Sequence, residues 1–108
     1  MNDSFFLYAG FLFAQLQTFM ARIFNIYFMH QDELHNAIVS VRSTPLFTEY
    51  ILGNLDVELR SLLPGNCILL EPVGTLIFKD ANEKHSTQLM NAIIQSLNKH
   101  LETNHTSL

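Results

Sequence analysis

The sequence predicts an α+β protein, mainly helical, and three observations carry that expectation. Phe5–Met29 is an almost unbroken apolar run whose polar residues Gln15, Thr18, Arg22 and Asn25, Gln17 apart, recur at helical spacing. Two short β-prone runs flank Pro72-Val73-Gly74. Met90, Ile93, Ile94, Leu97 and Leu101 make one apolar stripe near the end of the chain. The expected order is a long N-terminal apolar helix, three shorter helices, one β-hairpin over about 67–79, and a C-terminal amphipathic helix.

The first helix has Asp3 or Ser4 as its N-cap and runs to about Met29 or His30. Gln31-Asp32-Glu33 breaks it, and Asp32 can cap a second helix to about Val41. On that helix Leu34, Ala37, Ile38 and Val41 would share a face. Ser43-Thr44-Pro45 reads as the start of a third, with Thr44 capping and Pro45 at the first helical position. It would end at Gly53 near Leu52, where a left-handed cap suits glycine. Asn54 or Asp56 would open a fourth helix to Leu63, which Pro64-Gly65-Asn66 stops.

Cys67–Glu71 and Thr75–Lys79 are then the hairpin strands, with Pro72 setting the turn and Gly74 closing it. Asp80 and Glu83 have the spacing of a capping box, which predicts a last helix over about Ala81–Leu101. Residues 103–108 read as a frayed tail of a single domain, 1–108.

Composition narrows the function classes. Of 108 residues, 48% are hydrophobic and only 15% charged, well below the usual quarter or so. So small a chain with so little charge to cover it favours burial in an oligomer or complex. A net charge of −4 with six Lys plus Arg argues against a broad phosphate-binding face. The lone Cys67 fits a reducing compartment and reads as a small core residue. No positive leader precedes the apolar run, and Arg22 interrupts the window needed for a membrane span. The expectation is a cytoplasmic protein, with membrane association by the first helix as a lesser alternative.

No motif for catalysis, cofactor or metal emerges. His30, Glu33 and His35 are close in sequence, but on a helix histidines five apart do not share a face. The carboxylates Asp56 and Glu58, two apart on a helix, point in different directions. The reading is therefore a small non-enzymatic regulatory or adaptor protein, an obligate homodimer whose other partner is another protein.

Its contact residues would be Phe5, Phe11, Leu12, Leu16, Phe19, Arg22, Ile23, Phe24 and Tyr27 on the first helix. The alternative is a winged-helix DNA-binding regulator, from helices near 32–41, 45–52 and 55–63 followed by a hairpin. Asp56 and Glu58 against Arg60 alone on the would-be recognition helix speak against it.

Overall fold

A computed structural model describes residues 22–106. It corrects the fold class: the protein is mainly sheet, a curled antiparallel sheet of five strands with one long helix. The strands are β1 (Ile23–His30), β2 (Glu33–Ser43), β3 (Thr48–Gly53), β4 (Cys67–Leu70) and β5 (Leu76–Phe78). Their order in the sheet is the order in the chain. A short helix α1 (Val57–Ser61) lies between β3 and β4, and α2 (Thr87–Thr106) follows β5.

Two predicted helices and the end of the first fail for local reasons, and the rest of that first helix, residues 5–21, lies outside the described residues. The segment 23–30 is a strand rather than the end of a helix, and β-branched and aromatic residues supply it. Phe24, Ile26, Phe28 and His30 point inward, while Ile23, Asn25, Tyr27 and Met29 point out. Gln31 and Asp32 adopt positive φ of 52° and 64°, the backbone of a two-residue hairpin turn. They therefore join β1 to β2 instead of capping a helix, and His30 pairs with Glu33.

The second predicted helix, 32–41, is β2. Its apolar residues fit both periods, and Ala37, Val39 and Val41 alternate into the core. Leu34 and Ile38, placed by helical spacing on the buried face, are exposed. The third predicted helix is a tight turn and then β3. Thr44 does cap, but its Oγ1 accepts from the Leu46 and Phe47 amides (3.3 and 3.0 Å), and its own N–H donates to Phe47 O (2.8 Å).

The fourth segment is helical, but only over the five residues of α1. The hairpin pairs Ile68 with Phe78 and Leu70 with Leu76, closed by Gly74 at φ 95° and a 2.8 Å bond from its N–H to Glu71 O. The last helix begins at Thr87 rather than Ala81. Asp80 sits at φ 64°, unlike an N-cap, and Ser86 takes that role by accepting from the Leu89 amide at 3.2 Å.

The core lies between the inner sheet face and α2. Leu89, Ile93 and Leu97 from α2 are fully covered, against Ile26, Phe28, Val39, Leu52, Ile68 and Phe78 from the sheet. The helix contacts both β1 and β5, so it spans the width of the curled sheet. Leu59 and Leu63 belong to the same core. One face of the sheet is thus packed and the other is left outward. Among the described residues, no helix is long and apolar enough to cross a membrane.

Candidate functional site

The outward face of the sheet is apolar over β1 and β2, which follows directly from their sequence. A strand that is hydrophobic at successive positions puts apolar side chains on both of its faces, and α2 covers only one. Tyr27, Met29 and Leu34 remain 60%, 55% and 67% exposed, and Ile23 and Ile38 are exposed beside them. The register places Met29 opposite Leu34, Tyr27 opposite Asn36, Asn25 opposite Ile38, and Ile23 opposite Ser40. Asn36 Nδ2 donates to Asn25 Oδ1 at 3.0 Å, which satisfies polar groups inside the patch. Ile51, Leu69 and the exposed Ile77 continue it across β3 to β5.

Two opposite charges on this face are bonded to each other. Arg42 and Glu49 are register partners, and Arg42 Nε donates to Glu49 Oε1 at 2.8 Å. That bond holds the Glu49 carboxyl below its ordinary range, helped by a 3.4 Å bond from Cys67 Sγ to Oε2. Burial pushes the Cys67 thiol up, and its bond to Glu49 adds to the effect. Cys67 is therefore held as a thiol, half-buried on the outer face rather than in the core where the sequence puts it.

The residues predicted as contacts divide. Phe5, Phe11, Leu12, Leu16 and Phe19 lie outside the described residues. Ile23 and Tyr27 sit on the outer face, each two positions along β1 from Asn25. Phe24 does not: it points inward and stacks on His100 of α2, centroids 3.9 Å apart and 6° from parallel. Arg22 pairs within the chain, its Nη1 donating to Ser43 Oγ at 2.7 Å. The exposed Met29, Leu34 and Ile38 were missed, because helical spacing hid the alternation that exposes them.

The edge of the sheet is less open than its face. Tyr27 O points away from β2 and accepts from Ser96 Oγ of α2 at 2.7 Å. A helix that bonds an edge carbonyl obstructs strand addition there. A cavity of about 570 Å³ is lined by Leu52, Gly53, Asn54, Leu55, Arg60, Gly65 and Asn66 on the loops around α1.

The helices on which the winged-helix reading rests, 32–41 and 45–52, are strands and a turn, so its three-helix core is not there. No protein family, no curated protein and no solved structure matches this chain.

Proposed function

We propose that this protein is a small non-enzymatic interaction module that acts as a homodimer, two copies meeting through the outer faces of their sheets. The observation that carries the reading is the contiguous exposed patch of Ile23, Tyr27, Met29, Leu34 and Ile38. Single exposed apolar residues are ordinary, but a continuous patch on a small protein marks a contact surface. A second copy is the occupant that the charges favour. Arg42 and Glu49 beside the patch are bonded to each other, so these two groups set up no repulsion between copies. The same surface meeting itself across a two-fold axis gives a closed dimer.

Size-exclusion chromatography with light scattering on the full chain tests this. The expected result is the mass of a dimer, and the mass of a monomer for Leu34→Glu with an unchanged far-ultraviolet circular dichroism spectrum. Leu34 is exposed in the single chain, so the substitution spares the fold while placing a charge in the interface. A wild-type monomer, or a Leu34→Glu dimer, would overturn the reading.

A further inference from the structure

We propose that the His30 end of the sheet is a binding site for a divalent transition-metal ion, with His30, His35 and Asp56 as its protein ligands. Two imidazoles and a carboxylate are donors that suit Zn²⁺. The site is independent of the outer face, since His30 and His35 project to the inner side of β1 and β2.

His30 carries the inference. It is 8% exposed, and neither Nδ1 nor Nε2 has a hydrogen-bond partner. Folded proteins rarely bury a polar side chain with every polar atom unpaired, and a ligand is one of the recurring reasons. His30 lines a cavity of about 130 Å³ together with His35, Asp56, Glu33, Glu58 and Gln31. The Gln31-Asp32 turn sets this arrangement. It folds β2 back so that His35 lies diagonally beside His30, their ring centroids 6.3 Å apart and tilted by 53°. On a helix the same two residues would diverge, and only the hairpin brings them together.

The third donor is at hand. Asp56 Oδ2 lies 3.9 Å from His35 Nδ1, too far for a hydrogen bond. Around a tetrahedral ion with bonds of about 2.0–2.1 Å, neighbouring donors are about 3.3 Å apart, so a shift of roughly half an ångström closes this edge. Asp56 is free to make it. Its carboxylate is largely exposed and makes no capping bond at the start of α1. As the side chains stand, no three donors converge among the described residues, so the ion itself must draw Asp56 in. Glu33 and Glu58 line the same cavity and add negative charge that favours a cation.

The test is isothermal titration of the untagged full chain with zinc chloride, and visible absorption after addition of Co²⁺. One Zn²⁺ per chain is expected, with Co²⁺ bands of tetrahedral intensity. His35→Gln and Asp56→Asn should each weaken Zn²⁺ binding by about tenfold or more, while His85→Gln, which does not line the cavity, should not. His30→Gln should abolish binding, and if it fails to fold then His35→Gln decides alone. No Zn²⁺ binding, or wild-type binding by His35→Gln, would overturn the proposal and leave water as the partner of His30.

Discussion

Arg42 and Glu49 face each other across β2 and β3 with Nε 2.8 Å from Oε1, and the bond holds the Glu49 carboxyl below its ordinary range. A group whose folded pKa is lowered contributes stability above its unfolded pKa and loses it as pH falls through the folded value. The expected outcome is a melting temperature for wild type above that of Glu49→Gln at neutral pH, with the gap shrinking as the solution is acidified below the usual carboxylate range. Thermal melts of both proteins across that range check this. An equal gap at every pH would mean that Glu49 acts through packing alone.

Leu97 is fully buried between α2 and the sheet, whereas Lys99 is exposed on the same helix. Truncating a packed leucine removes its transfer free energy and leaves a cavity, at a cost of about 2–5 kcal/mol. Leu97→Ala should fall in that range in urea unfolding, and Lys99→Ala should differ from wild type by no more than about 0.5 kcal/mol. Similar losses for both would place the helix on the sheet by another face.

Gln31 and Asp32 occupy left-handed backbone without being glycine. Such a conformation costs a residue with a Cβ about 1–2 kcal/mol, part of which glycine recovers before its greater chain entropy is subtracted. Asp32→Gly should therefore stabilise the protein by about 0.5–1 kcal/mol. Denaturant midpoints would show it, and a destabilised variant would mean that the Asp32 side chain holds the turn.

Ser96 Oγ donates to the edge carbonyl of Tyr27 at 2.7 Å. Loss of one such bond costs about 0.5–1.5 kcal/mol. Ser96→Ala should be destabilised by that amount and aggregate faster on mild heating, because a carbonyl of the β1 edge is uncovered. Light scattering below the melting temperature measures the second effect, and unchanged aggregation would show that α2 guards the edge without this bond.

The sequence made some elements legible and hid others, for reasons visible residue by residue. The 67–78 hairpin was readable because Pro72 and Gly74 have one turn conformation between them, and the stripe through Ile93 and Leu97 because a long helix repeats its period several times. β2 was misread because Leu34, Ala37, Ile38 and Val41 satisfy the helical period while Ala37, Val39 and Val41 satisfy the strand period. The sheet chose between them, since the 31–32 turn sets β2 against β1 and buries the second set. Half the candidate face followed from that choice. Tyr27 and Ile23 were named for their hydrophobicity, but Leu34 and Ile38 emerge only when helical spacing is abandoned. The histidine pair was hidden by the same misreading, because its two members meet only across a hairpin.

The bond between Ser96 and Tyr27 joins residues 69 positions apart, one in the first described strand and one in the last helix. During synthesis at about 5–20 residues per second, the ribosome takes roughly 3–14 s to deliver the second after the first. Once β2 has been made it can pair with β1 on one side, while α2 does not yet lie along the other. The nascent chain therefore passes through a period in which a half-built meander carries an open margin, and chaperones or neighbouring chains can reach it. Arrival of α2 ends that period.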